Sequence, residues 1–142
     1  MVVQEHSTRG ISDLFLFIKL TEALLEVINR YENNYLNTAN ETIQIIDKIG
    51  ISSIKVQLDT FHMNIEESSM SDAILKSGEK LGYIHVADNT RLAVGTGSID
   101  FQKVFDSLID IGYKGAVSLE CLPLPTGEIA ARKSLKEINK YF

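Results

Sequence analysis

The sequence carries four side chains that could bind one metal ion, each at the end of a short apolar segment. They are Glu26, Asp59, His85 and Glu120, and 33, 26 and 35 residues separate successive members. That interval is about the length of one strand-and-helix unit, so the four would reach the same edge of a parallel sheet. Three carboxylates and one imidazole are typical ligands of Mn²⁺, Mg²⁺ or Co²⁺, whereas a structural zinc prefers thiolates and imidazoles.

Each of these residues taken singly has an ordinary explanation. A histidine such as His85 inside an apolar strand is often a hydrogen-bonded core residue, Glu26 could lie on a helix surface, and Asp59 could cap a helix or turn. Glu120 is harder to explain in this way, because a glutamate is rarely buried unless it is paired. The repetition of one group per strand end favours a shared metal site, since three converging carboxylates would repel one another without a cation.

The elements needed to position these groups are predicted from apolar periodicity and from capping signals. Short apolar strands alternate with amphipathic helices, a pattern typical of an α/β protein with four βα units and parallel strands. We expect strands over residues 23–28, 54–58, 83–87 and 116–122. We expect loops after Asp59 and over residues 88–98.

Four helices are expected between and after these strands, each with its own start or stop signal. The first begins after Asn37 or Thr38 and ends at Gly50, the second spans 71–81 and ends at Gly82, the third begins after Asp100 and ends at Gly112, and the last spans 127–140. Their inward-facing residues are predicted to be Ile43, Ile46, Ile49, Ile74, Leu75, Phe101, Val104, Phe105, Leu108 and Ile109.

The N-terminal residues give a weaker pattern. Residues 1–10 are polar and without periodicity, and Ser12 or Asp13 could cap a helix to about residue 21. The apolar alternation over residues 14–18 would also suit a buried strand. Residues 21–30, taken alone, could equally continue the helix.

The composition excludes several classes of protein. The chain has 142 residues, enough for one domain, with 44% hydrophobic and 23% charged residues. Its net charge of −5 argues against nucleic acid or an anionic membrane as partner. One cysteine cannot form an internal disulfide, which favours a reducing, cytoplasmic setting. The apolar run at 14–18 is shorter than the ~20 residues of a membrane helix, and it lacks the flanks of a signal peptide.

Several ordered motifs resemble those of the D-tagatose/D-psicose (allulose) 3-epimerases, members of the xylose-isomerase-like superfamily. The resemblance covers residues 24–122, most of the chain. It is carried by residues 25–32, by Leu-Asp-Thr-Phe-His-Met-Asn-Ile-Glu-Glu at 58–67, by 81–85 with Arg91 after them, and by 95–101 and 111–115.

The resemblance implies a fold and a set of roles. The family has a (β/α)₈ barrel, and this chain is similar only to its C-terminal half, since a whole barrel takes ~250 residues. Residues 1–22 would then be an N-terminal tail with a possible helix remnant, and 23–142 a half-barrel domain. By resemblance, Glu26, Asp59, His85 and Glu120 are metal ligands, Glu26 and Glu120 are also the catalytic pair, and Glu32, His62 and Arg91 contact substrate hydroxyls.

The function implied is that of a metal-dependent ketose 3-epimerase, with Mn²⁺ as the first choice of metal, present as a half-barrel that need not be active alone. The alternatives are a related metal-dependent sugar isomerase or hydrolase on the same barrel, and a structural fragment without turnover. A half-barrel also leaves two sheet edges unpaired and exposes apolar residues of the barrel interior. We therefore expect self-association through these edges.

Overall fold

The computed structural model describes residues 22–141, which form one parallel sheet covered by helices on one face. In chain order the elements are β1 (Ala23–Glu26), α1 (Ala39–Ile49), β2 (Ile54–Asp59), α2 (Thr60–Glu66), α3 (Met70–Ser77), a 3₁₀ turn (Gly78–Lys80), β3 (Leu81–Val86), α4 (Phe101–Asp110), β4 (Val117–Leu119) and α5 (Gly127–Ile138). None of the helices in this described part is long and apolar enough to cross a membrane.

The strands pair in sequence order, β1-β2-β3-β4, and every pairing is parallel. This confirms the predicted architecture of four βα units. The register aligns Asp59 with His85, and His85 with Ser118. The carboxyl ends of the strands therefore meet at one edge of the sheet.

The two faces of the sheet have different compositions because side chains alternate along each strand. Val27, Val56, Leu58, Ile84 and Val86 point to one face, and each is fully buried in the core between strands and helices. The helices complete this core with Ile46, Ile74, Val104, Phe105 and Leu108. The core thus lies outside the sheet, where a barrel carries its helices.

The opposite face corresponds to a barrel interior, and it is mostly polar. Lys55, Gln57 and Ser118 lie on this face beside the predicted metal ligands. Among the described strands, Leu24 is the exposed large hydrophobic residue on this face. The expectation of an exposed apolar interior is therefore wrong for most of this face. This face is polar because it surrounds the predicted metal ligands.

The helix starts were predicted well because capping residues mark them. Thr38 caps α1 in a capping box with Glu41, and Asp100 caps α4. Gly50, with φ of 68°, ends α1. The residues after Asp59 form α2 rather than the expected loop, because the Asp59 side chain accepts hydrogen bonds from the first-turn amides of that helix.

Three helix residues predicted to face inward are exposed. Ile49, Leu75 and Ile109 are 44%, 44% and 60% exposed, since their neighbours Ile46, Ile74 and Leu108 occupy the buried stripe. The second predicted helix is also shorter than expected. It ends at Gly78 rather than Gly82, and Gly82 belongs to β3.

The remaining predicted bounds differ by a few residues, and some lie outside the described part. β1 and β4 are shorter than predicted, and α5 ends at Ile138. The helix predicted to residue 21 lies outside the described residues, and the division into residues 1–22 and 23–142 stays a prediction.

The loop between β3 and α4 is organised by one buried carboxylate that the sequence reasoning did not single out. Asp88 is fully buried and accepts hydrogen bonds from five backbone N–H groups, at distances of 2.8–3.2 Å. The donors are the amides of Asn89, Gly95, Thr96, Gly97 and Ile99. Burial raises the pKa of Asp88, but these hydrogen bonds outweigh it and hold that pKa below its ordinary value.

The same loop presents Arg91. Its amide donates to the Asp88 carbonyl at 2.8 Å, and its carbonyl accepts from the Leu122 amide at 2.7 Å. Gly97 must be a glycine here, because a Cβ would overlap the side chains of Asn89 and Asp88. The position of Arg91 thus depends on a loop closed around Asp88.

Asp88→Asn should loosen this loop without unfolding the sheet. The NH₂ group that replaces one carboxylate oxygen cannot accept hydrogen bonds, so at least two loop N–H groups lose their acceptor, and hydrogen bonds to a charged group contribute about 1.5–3 kcal/mol. We expect the backbone amides of residues 95–99 to exchange with solvent at least about tenfold faster, measured by hydrogen–deuterium exchange. Asp100→Asn is the matched control, because asparagine also caps helices. Unchanged exchange in the loop would contradict this role for Asp88.

Candidate metal centre

The structure brings the four predicted metal ligands together at the carboxyl edge of the sheet. Glu26 ends β1, Asp59 ends β2, His85 lies in β3, and Glu120 follows β4. One ligand atom from each lies within 4.8 Å of all the others. His85 Nδ1 is 3.6 Å from Glu26 Oε1 and 3.9 Å from Asp59 Oδ2, and it contacts Glu120 Oε2.

Two atoms at the centre of this cluster are buried and have no hydrogen-bond partner in the part of the chain that the structure describes. They are Asp59 Oδ2 and His85 Nδ1. A buried polar atom that makes no hydrogen bond costs about 1–3 kcal/mol, so native proteins seldom leave one unsatisfied. A divalent cation between these atoms would satisfy both and would offset the repulsion among three carboxylates. The donor set therefore fits a hard divalent metal ion.

Asp59 is held rigidly, and this orients its free oxygen. Its Oδ1 accepts from the amides of Phe61 and His62 at 2.7 and 3.3 Å, which caps α2 and leaves Oδ2 for the cluster. Burial raises the pKa of Asp59 above its ordinary value, and the nearby Glu120 raises it further. Without a cation this site therefore makes the charged form of Asp59 less favourable than it is in water, and a bound cation would oppose that effect.

The glutamates differ from Asp59 in accessibility. The Asp59 side chain is 0% exposed, whereas those of Glu26 and Glu120 are 32% and 42% exposed. They come from the first and last strands of the sheet, so they approach the cluster from opposite sides. These are the two carboxylates of the cluster that a bound molecule can touch.

Arg91 connects the cluster to Glu32. Its guanidinium lies 3.0 Å from Glu32 Oε1 and 3.3 Å from Glu120 Oε1. The same guanidinium lies over the Phe61 ring, 4.9 Å from its centroid. Burial raises the pKa of Glu32, but a hydrogen bond from Asn29 and the charge of Arg91 outweigh it, so that pKa lies below its ordinary value.

His62 completes the group of predicted substrate contacts. It is 3% exposed, its amide bonds to Asp59, and its Nδ1 lies 2.7 Å from Asn29 Nδ2. His62 and Arg91 thus contact members of the cluster directly, and Glu32 is joined to the cluster through Arg91. Asn29 was missed by the sequence reasoning; a polar residue three positions after Glu26, at the end of an apolar strand, was the signal available.

The comparisons with known proteins agree with this architecture. The chain matches the xylose isomerase-like TIM barrel family over residues 19–140. It is 46% identical over 107 residues to a D-psicose 3-epimerase of Enterocloster bolteae, covering 75% of this chain and 36% of that protein. It is 45% identical over 96 residues to a ketose 3-epimerase of Arthrobacter globiformis, covering 68% and 33%.

A solved structure is similar to this chain in fold and in sequence. The D-allulose 3-epimerase from Methylomonas sp. superposes with a TM-score of 0.80 at 32% identity, covering 85% of this chain and 49% of that one. The chain spans about a third of the length of the curated relatives and about half of that solved chain. The described part is therefore half of a barrel, and the chain belongs to the xylose isomerase-like TIM barrel family.

Proposed function

We propose that this chain supplies the metal-binding and proton-transferring half of a ketose 3-epimerase. One observation carries the proposal: four strand ends bring donor atoms within 4.8 Å of one another, and two of these atoms are buried with no hydrogen-bond partner among the described residues. The names of the relatives, D-psicose and ketose 3-epimerase, support the choice of reaction. The proposed substrate is a ketose, in a cytoplasmic setting.

Glu26, Asp59, His85 and Glu120 would hold the cation. Their oxygen-rich set favours Mn²⁺, with Mg²⁺ or Co²⁺ as alternatives. When bound, the ion would act as a Lewis acid and stabilise negative charge developing on the sugar oxygens, an effect of several kcal/mol.

Glu26 and Glu120 are the proposed acid–base pair. One carboxylate removes the proton from carbon 3, and the electrons of that C–H bond form the enediolate with the neighbouring carbonyl. The partner, in its acid form, returns a proton to the opposite face of carbon 3, so the two side chains exchange protonation states. Asp59 does not suit this role, because it is fully buried and bound to the amides of α2.

Glu32, His62 and Arg91 are the proposed contacts to sugar hydroxyls. A pKa below the ordinary value keeps Glu32 an acceptor, and the Arg91 guanidinium can only donate. Arg91 also bonds to Glu120, so it would position a proposed base together with the substrate. The sugar's remaining contacts would come from barrel units outside this chain, and turnover by the 142 residues alone is not expected.

Metal binding should be a property of the 142-residue chain itself, because all four proposed ligands lie in it. We expect about one Mn²⁺ per chain in a calorimetric titration. Glu26→Gln should weaken binding at least about tenfold, or about 1.4 kcal/mol, because an anionic ligand is lost. Glu128→Gln, on the exposed surface of α5, is the control and should bind as the unaltered chain does. Equal affinity in all three proteins would refute the site.

Proton transfer can be tested in a complete barrel that carries this chain as its second half. With saturating Mn²⁺ and fructose in deuterated water, Glu26→Gln and Glu120→Gln should each lower deuterium incorporation at carbon 3 by about 10²–10⁴-fold, the usual contribution of a general acid or base. Mass spectrometry measures the incorporation, and Glu128→Gln is again the control. If exchange survives both changes, the two-base scheme fails. A different product from the unaltered barrel would favour another sugar isomerase or a hydrolase.

Self-association of the chain on its own is also proposed, because β1 and β4 are the outer strands of the sheet that residues 22–141 form. Light scattering should give a dimer or a larger assembly at micromolar concentration. Leu24→Lys, on the exposed inner face, should shift the assembly toward monomer by placing a charge there. Leu135→Lys, on α5, is the matched control and should not. A compact monomer of the unaltered chain at all concentrations would contradict this proposal.

A further inference from the structure

Asn29 is a buried amide at the centre of the group of predicted substrate contacts. It lies just beyond β1 and is 1% exposed. Its Oδ1 accepts a hydrogen bond from the Tyr31 amide at 2.9 Å. Its Nδ2 lies 3.2 Å from Glu32 Oε1 and 2.7 Å from His62 Nδ1. One side chain therefore contacts one residue of the loop after β1 and one residue of α2.

The orientation of this amide follows from its partners. A backbone N–H can only donate, so the atom facing the Tyr31 amide must be the side-chain oxygen. An ionised carboxylate can only accept, so the atom facing Glu32 must be the NH₂ group. Both partners give the same answer, and the NH₂ group is therefore the one that faces His62.

His62 Nδ1 consequently meets two donors and no acceptor in these contacts. The first is Asn29 Nδ2, and the second is the Asn29 backbone N–H at 3.4 Å. A ring nitrogen that faces donors must accept, and a neutral imidazole with an accepting Nδ1 carries its hydrogen on Nε2. We propose that Asn29 is a positioning residue that fixes His62 as its Nε2–H tautomer and ties it to Glu32 through the same amide.

The consequence for the reaction rests on the proposed function. The Nε2–H group of His62 would donate a hydrogen bond to a sugar oxygen. The Glu32 carboxylate would accept a hydrogen bond from a sugar hydroxyl. Because one buried amide holds both side chains, their spacing is set before the sugar arrives, which lowers the ordering cost of binding. Specificity among sugar hydroxyls would then depend on Asn29 although it need not touch the sugar.

The tautomer can be measured without any turnover. The chain has three histidines, and with ¹⁵N-labelled histidine and Mg²⁺ present, two-dimensional spectra at alkaline pH distinguish the protonated from the unprotonated ring nitrogen. His62→Gln assigns the His62 signals. We expect a single neutral tautomer with hydrogen on Nε2. Hydrogen on Nδ1, or comparable populations of both tautomers, in the unaltered chain would overturn the proposal.

Variants test whether Asn29 is the cause. Asn29→Asp places an acceptor against Nδ1 and should move the hydrogen to Nδ1, and Asn29→Ser should leave a mixture of both tautomers. Asn34→Asp adds the same charge to an exposed position of the same loop and should change nothing. An unchanged His62 tautomer in both Asn29 variants would overturn the assignment. These tautomer measurements need no sugar, so their result does not depend on the epimerase proposal. A failure of that proposal would be detected separately, as the absence of proton exchange at carbon 3.

Discussion

The structure depends on one electrostatic constraint, the convergence of three carboxylates and an imidazole at the carboxyl edge of the sheet. Like charges this close destabilise the fold unless a cation or protons compensate them. Two buried atoms of the cluster, Asp59 Oδ2 and His85 Nδ1, make no hydrogen bond to any described residue, as this constraint would lead one to expect. The pKa of Asp59, raised by burial, is a second sign of it. A cation bound at this cluster would therefore couple metal binding to folding.

The surrounding elements can be understood as supports for that cluster. The apolar outer face gives the strands a rigid core, and the polar inner face leaves the strand ends free for ligands. Two buried polar side chains then fix the loops around the site. Asp88 closes the loop that carries Arg91, and Asn29 joins Glu32 to His62. The donors in these contacts are backbone N–H groups or a side-chain amide. Because the contacts are shielded from water, their hydrogen bonds are stronger than they would be in solvent.

The sequence was sufficient for the fold class and for the juxtaposition of the four strand-end groups, because alternation and repeat spacing are local signals. It was less reliable where two local signals compete. Gly78 and Gly82 both offer a helix end; the helix ends at Gly78, and Gly82 lies in β3, where a Cβ would overlap the side chains of Lys55 and Leu24. The short helix α2 was predicted as a loop. Its first turn depends on hydrogen bonds to one side chain, that of Asp59.

Asn29 and Asp88 show what sequence reasoning could not reach. Their partners are amides and side chains that only the folded chain brings near them, up to 33 residues away. The polar inner face was also misjudged, since the expectation came from barrels in general rather than from the residues at alternate positions. Reading Lys55, Gln57 and Ser118 as one face would have predicted it.

The central claim is that four strand ends form one cation site, and anomalous diffraction from crystals grown with Mn²⁺ tests it most directly. The account predicts a single strong peak within coordination distance of Glu26, Asp59, His85 and Glu120, close to Asp59 Oδ2 and His85 Nδ1. A strand edge without such a peak at saturating Mn²⁺, or side chains of Glu26 and Glu120 turned away from His85, would contradict it.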